Sequence, residues 1–342
     1  MEVSSVSNSV VDTDKSDKQL DVVGFGNALV DVLSHQNDEF LERINVTKGA
    51  MHLIDNERSE ELYSLIAERK TVSGGSAANT VIGVGSLGGS AGYIGRVADD
   101  DLGDIFAKDM AELKIFHNTP RAPRNDSTGR CLIFVTPDGE RTLNTFLGAS
   151  NGLTTSDVDL ALVQRAKILF LEGYLWDLPG AKKAMETAAS AADLNTKVAL
   201  TLSDSFCVDR HRDSFLNLIS DHVDVLLAND HEILSLFETE NLNLAIQRAT
   251  SIVSLASVTK GPTGSVIASN SETVSLEAAN VREVVDKTGA GDLYAAGLLY
   301  GLAQGYELER CGKLGAIAAG EVISHMGPRP ETNLRQLAGD LA

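Results

Sequence analysis

The sequence predicts an α/β protein with a mainly parallel sheet and a small β-sheet lid. Three observations carry this expectation. Short runs of β-formers alternate with helical patterns, as βαβ crossovers require. Two stretches, 31–54 and 128–146, break that alternation and are rich in strand formers. At roughly 100 to 200 residues per domain, 342 residues allow one large α/β domain or two smaller ones, and the lack of an internal repeat or of a linker between independent domains favours one body over 21–342.

The elements follow in order. Residues 21–26 form an apolar run ending in Gly26-Asn27, as a buried strand entering a binding loop would. Further strands are expected at 93–94, 168–171, 198–201, 225–228 and 258–259, with helices between them such as 181–192 and 293–303. Segments 130–136 and 141–146 flank Pro137-Asp138-Gly139, whose proline presets φ and whose glycine permits a turn, so they read as a β-hairpin. With 31–54 this hairpin makes the lid. Residues 1–20, rich in Ser, Val and Asp, read as a disordered tail.

Composition excludes several functions. The chain carries 29 basic and 48 acidic side chains, a formal charge of −19, and only 5% aromatics. A nucleic-acid partner is therefore not expected, because phosphate backbones need a field of opposite sign. No apolar run approaches the roughly 18 residues of a membrane span. Cys131, Cys207 and Cys311 are far apart and without a Cys-x-x-Cys pair, so neither a disulfide framework nor a thiolate metal cage is expected, and a reducing cytoplasm fits best.

The most informative segment is Gly289-Ala290-Gly291-Asp292, read as a small-residue turn between a strand at 284–286 and the helix over 293–303. The amides of such a turn converge at a helix start, where the dipole also favours an anion. Asp292 beside an anion site makes sense as a group that takes a proton from an attacking hydroxyl in phosphoryl transfer. It also makes sense as a first-turn acid that complements the dipole.

Asp286-Lys287-Thr288-Gly289-Ala290-Gly291-Asp292 resembles the C-terminal signature Asp-Thr-x-Gly-Ala-Gly-Asp of the ribokinase-like (PfkB) carbohydrate kinase family. Ser73-Gly74-Gly75-Ser76-Ala77-Ala78-Asn79, with Gly92-Tyr93-Ile94-Gly95 after it, resembles the family's N-terminal Gly-Gly-x-x-x-Asn segment. Lys287 stands where the family usually has Thr, and Arg96-Val97-Ala98-Asp99 is one residue longer than the common spacing. The resemblance covers nearly the whole chain after the tail. It implies a three-layer α/β/α fold in which Asp292 is the catalytic base and Gly289, Ala290 and Gly291 form the anion hole.

The same resemblance implies a substrate subsite from Asn27, Asp31, Gly74, Gly75 and Asn79, with Asp31 accepting from two sugar hydroxyls. A carboxylate can hold vicinal hydroxyls in a fork. Asn229 and Glu232 match the family's Asn-x-x-Glu, with Glu232 organising Mg²⁺ through water, although their spacing is equally that of a capping box. Thr259, Gly261 and Gly264 match a turn along the nucleotide, and could as well be a plain hairpin. Backbone oxygens of Asp286 and Thr288, near Ser324 and Gly327, resemble a monovalent-cation site, K⁺ in particular.

The expected function is thus an ATP- and Mg²⁺-dependent kinase acting on a primary hydroxyl of a nucleoside or sugar. Gly26-Asn27-Ala28-Leu29-Val30-Asp31 and the segment from Glu140 to Gly148 resemble the adenosine kinase-like members, which favours adenosine. A ribokinase- or fructokinase-type sugar kinase is the alternative, and a non-catalytic nucleoside- or sugar-binding protein is another. A dinucleotide oxidoreductase fits poorly, since Gly24-Phe25-Gly26 lacks the third glycine. A homodimer paired through the lid is also expected, because a lid sheet has edges and an apolar face to cover.

Overall fold

The computed structural model describes residues 19–342. The tail expectation for 1–18 lies outside the described residues, and Leu20, which it included, is already buried in the first strand. In chain order the strands are β1 (Leu20–Phe25), β2 (Leu29–His35), β3 (Met51–Leu53), β4 (Lys70–Gly74), β5 (Ala91–Ile94), β6 (Phe116–His117) and β7 (Thr128–Val135). They continue with β8 (Arg141–Gly148), β9 (Ala166–Glu172), β10 (Lys197–Thr201), β11 (Val225–Asn229), β12 (Leu255–Thr259), β13 (Ser265–Ser269) and β14 (Thr273–Leu276). Helices are α1 (Asp38–Arg43), α2 (Asn56–Ser64), α3 (Ser76–Ser86), α4 (Asp101–Glu112), α5 (Leu160–Gln164) and α6 (Pro179–Ala191). The remainder are α7 (Ser205–His222), α8 (Asp230–Leu236), α9 (Leu242–Thr250), α10 (Ala290–Ala303), α11 (Leu308–Val322) and α12 (Leu334–Ala338).

A nine-stranded sheet runs β14-β13-β12-β11-β10-β9-β1-β5-β6, parallel except for the antiparallel arm β12-β13-β14. Its central strands are apolar throughout because both faces are covered. Along β9, Ile168 and Phe170 join the core under α3, α10 and α11, whereas Leu169 and Leu171 join the core under α6, α7 and α9. That alternation is the strand period of two, and it makes the three layers.

The second sheet runs β3-β8-β7-β2-β4. It takes in β4, outside the two insertions expected from the sequence, and the 31–54 stretch also contains the short helix α1. Val30, Val32, Leu132 and Phe134 point to one face, where α1 and α2 cover them; Phe40 meets Phe134 edge-on with ring centroids 5.2 Å apart. The alternate residues Asp31, Cys131 and Ile133 turn towards the large sheet. The lid's outer face is therefore covered by helices of the same chain.

Candidate active site

Strand ends place the site. Asn27 follows β1, Glu172 ends β9, Thr201 ends β10, Asn229 ends β11 and Thr259 ends β12, all at the carboxyl edge of the large sheet, where open α/β folds bind ligands. These residues line one cavity of about 990 Å³, which the lid sheet roofs.

Two helix starts meet at its floor. Gly83 of α3 lies against Ala296 and Leu293 of α10 so closely that a Cβ there would come within 2.5 Å of Ala296. This close crossing brings the first turn of α3 to the first turn of α10. Ser76 Oγ donates to Asp292 Oδ1 at 2.6 Å, and Asn79 Nδ2 donates to Asp292 Oδ2 at 2.7 Å. Burial raises the Asp292 carboxyl above its usual range, and the two donors pull it back.

Gly289 caps α10 with φ +77°, packed so closely on Pro328 that a Cβ would sit 2.9 Å from it. The first amides of a helix lack intrahelical acceptors, so those of Gly291 and Asp292 are available to an anion. Gly291 faces open space: a Cβ there meets nothing within 4 Å. Ala290 differs, its amide lying 3.3 Å from the Lys287 carbonyl. The strand expected at 284–286 is not formed; Val285 and Asp286 amides instead reach one carbonyl, that of Ile323, because the end of helix α11 rather than a partner strand lies beside them.

The lid contributes Asp31, buried to 6% exposure, with a carboxyl raised to about 7 by burial against the opposing pull of Arg329. Gly74 is needed beneath it, since a Cβ would come within 2.4 Å of Asp31 Oδ1. Gly75 has φ +101° and no room for a Cβ beside the Asn27 carbonyl. Asn27 Oδ1 and Asn79 Oδ1 are buried acceptors at the cavity without a protein donor. Asp31, Asn27 and Asn79 are thus brought to one end of the cavity.

At the other end Asn229 and Glu232 form the reciprocal capping box of α8. Glu232 Oε2 and Oε1 accept from Asn229 N at 2.9 Å and from Asn229 Nδ2 at 2.7 Å. Burial lifts the Glu232 carboxyl to about 7. Thr259 and Gly261 line the cavity within the β12–β13 hairpin, while Gly264, at φ +87°, serves the hairpin itself against the Leu276 carbonyl. Asp286 is sealed by other partners: Oδ1 accepts from the Thr288 amide and hydroxyl at 2.7 Å, and Oδ2 from Gly327 N at 2.8 Å. Lid residue Arg141 completes the set with an ion pair of 2.9 Å to Asp286.

Three residues tied to the site were not among those the sequence motifs singled out for it, although Arg141 lies within the Glu140–Gly148 segment. Glu172 accepts from Asn27 Nδ2 at 2.7 Å and from Ala77 N at 2.9 Å, tying β1 to α3; its carboxyl is raised to about 7 by burial. Arg329 grips the Ser73–Ala78 turn, and Arg141 links lid to body. Each acts across long sequence distances, and Glu172 and Arg329 stand in no local motif. Of the aromatics, Phe40, Phe134 and Trp176 are core, whereas Tyr174 lines the cavity. The three cysteines are buried and free, and no helix among the described residues is long and apolar enough to cross a membrane.

Fold and site together define a phosphotransferase with an alcohol group as acceptor. Residues 45–333 match the model of the pfkB family carbohydrate kinases, and the chain belongs to that family. A probable sugar kinase from Rhizobium etli CFN 42 is 47% identical in sequence, with TM-score 0.88 over 94% of this chain and 98% of that one. An adenosine kinase from Sinorhizobium meliloti is 46% identical, with TM-score 0.87 over 93% and 98%. The adenosine kinase of Saccharomyces cerevisiae is 26% identical over 90% of this chain and 96% of its own length. A nucleoside or sugar kinase, with ATP as the phosphoryl donor that the family implies, is therefore the activity of this protein.

Proposed function

We propose that the acceptor is a nucleoside, adenosine first, phosphorylated on its primary hydroxyl. The observation that carries this reading is the apolar wall beside Asp31. Leu29, Met51, Leu53, Ile133, Leu143 and Leu147 of the lid line the cavity, and Met51 and Leu53 are 49% and 62% exposed. Tyr174 and Phe206 add exposed aromatic surface to the same cavity. A free sugar presents only small C–H patches and gains little from such a wall; a base attached to the sugar buries its broad apolar faces there, at about 25 cal/mol per Å². The Sinorhizobium and yeast relatives, named as adenosine kinases, agree with this reading.

In the proposed reaction Asp31 and the free Asn27 and Asn79 oxygens hold the ribose hydroxyls. Discrimination by such buried acceptors is strong, because a substrate lacking the hydroxyl leaves them unpaired. Asp292, oriented by Ser76 and Asn79, takes the proton of the attacking hydroxyl. The α10 start, with Gly291 open to the cavity, meets the negative charge that spreads over the transferred group. Closure of the lid over the acceptor excludes water and so limits loss of the phosphoryl group to hydrolysis.

Mg²⁺ fits the donor end. Each Glu232 oxygen already accepts one hydrogen bond and keeps a lone pair, which suits a hydrated ion held through water rather than a direct protein cage. Bound there, Mg²⁺ would neutralise charge on the nucleotide phosphates. K⁺ at the Asp286 and Thr288 carbonyls belongs to the same reading, supported by the fixed geometry that the Asp286 side chain imposes on that turn.

ADP release from Mg-ATP, compared across adenosine, guanosine, ribose and fructose, tests the proposal. Selective stimulation by adenosine is expected. Stimulation by a free sugar alone would replace the nucleoside reading with the sugar-kinase one.

A further inference from the structure

The segment Gly327-Pro328-Arg329-Pro330 touches both halves of the candidate chemistry. Gly327 N donates to Asp286, and Pro328 packs under Gly289 at the start of the anion turn. Arg329 reaches the other half. Its Nε donates to the Ser73 carbonyl at 2.8 Å, Nη1 to the Ala78 carbonyl at 3.2 Å, and Nη2 to both Ser73 O and Ser73 Oγ. Asp109 of α4 holds Ser73 from behind, accepting from its amide at 2.9 Å. The turn so gripped carries Gly74, Gly75 and Ser76.

We propose that Arg329 is a positioning residue for phosphoryl transfer: it pins the Ser73–Ala78 turn and sets one fixed positive charge beside both Asp31 and Asp292. The inference rests on the reading of Asp292 as proton acceptor and Asp31 as acceptor ligand. A planar guanidinium fork suits the task, because its nitrogens reach two carbonyls of one turn from different edges in a fixed geometry while its charge lies near the carboxylates; an ammonium keeps the charge but concentrates its donors on one atom.

The charges around it agree. Arg329 lies within electrostatic reach of Asp31, Asp109, Tyr93 and Asp292. Asp286 and Arg141 act on Asp31 as well, and the Asp292 charge acts on Glu172. Burial drives the Asp31 and Asp292 carboxyls towards the neutral form, with repulsion from Asp292 and Asp286 adding to it at Asp31, and Arg329 opposes this at both. Burial lowers Arg329 itself only to about 10, so it stays charged wherever the carboxylates titrate.

The test is the pH profile of kcat/KM for Arg329→Lys, Arg329→Met and Arg329→Gln, the last keeping amide donors for the turn so that folding is preserved without the charge. In the neutral variants the acid limb should move to higher pH by about one unit, whereas Arg329→Lys should keep the limb in place and lose only height. A uniform loss of kcat/KM with an unmoved limb in the neutral variants would reduce Arg329 to a structural tie and overturn the proposal. Binding of adenosine or ribose to the nucleotide-free protein across pH separates the two readings. A wild type that binds without transferring phosphoryl would end the Asp292 assignment, and a limb in acceptor binding that moves in Arg329→Gln would still place the Arg329 charge beside Asp31.

Discussion

Asn79 Nδ2 and Asp292 Oδ2 lie 2.7 Å apart, although 213 residues separate them in the chain. The bond joins the two signature segments and, with Ser76 on the other oxygen, fixes the carboxylate that faces the cavity. Replacing Asp292 by Asn keeps the shape and removes the proton acceptor. Turnover should fall by roughly 10²–10⁴-fold while acceptor binding survives, because the lost interaction is needed mainly in the transition state. Steady-state kinetics beside calorimetric binding checks this; near-normal turnover would remove Asp292 from the reaction.

Asp31 is expected to act at the binding step. Asp31→Asn should raise KM steeply with a smaller change in kcat. Its stability effect has a definite sign. A folded-state value raised to about 7 means that the folded protein holds a proton the unfolded chain releases near 4, so this group's contribution is present at acid pH and is lost as pH rises towards 7. Asp31→Asn should therefore melt higher than wild type above neutrality and about equally at acid pH. Thermal melts at several pH values read this directly.

The glycines separate stability from activity. Gly75→Ala meets the Asn27 carbonyl at a positive φ and should destabilise by more than about 1 kcal/mol. Gly291→Ala meets no protein atom, so its melting temperature should stay near wild type. Its kcat should nevertheless drop, since the added methyl stands where an anion approaches the helix start. Equal losses of stability in both variants would speak against an open Gly291.

Arg141→Ala cuts the ion pair that ties lid to body and leaves the Asp286 carboxylate, 2% exposed as a residue, without its cation. A loss of about 3 kcal/mol is expected, as for other buried pairs with one partner removed. Denaturant unfolding measures it. Because the pair is buried, the loss should change little with added salt, unlike that of a surface pair.

The layers of this fold were legible because strand and helix periods are local. The apolar runs at 168–171 and 225–228 read as strand candidates, and they lie in the middle of the large sheet. The Pro137-Asp138-Gly139 turn predicted its hairpin, with Gly139 at φ +79° as expected. Strand β4 was missed because the 70–74 run is weakly apolar and pairs only through β2, which no local pattern announces. At Asn229 and Glu232 the spacing allowed a capping box or a ligand pair, and the reciprocal hydrogen bonds show the box.

By itself the sequence marked the short segments that form the candidate site, because a glycine turn before a helix and a carboxylate after it are properties of consecutive residues. Only the tertiary structure decided which side chains complete the site. Glu172, Arg329 and Arg141 reach it from a strand end, the C-terminal brace and the lid. Their roles come from burial and from contacts across long stretches of chain, and a hydrogen bond between distant segments leaves no period or spacing in the chain that makes it.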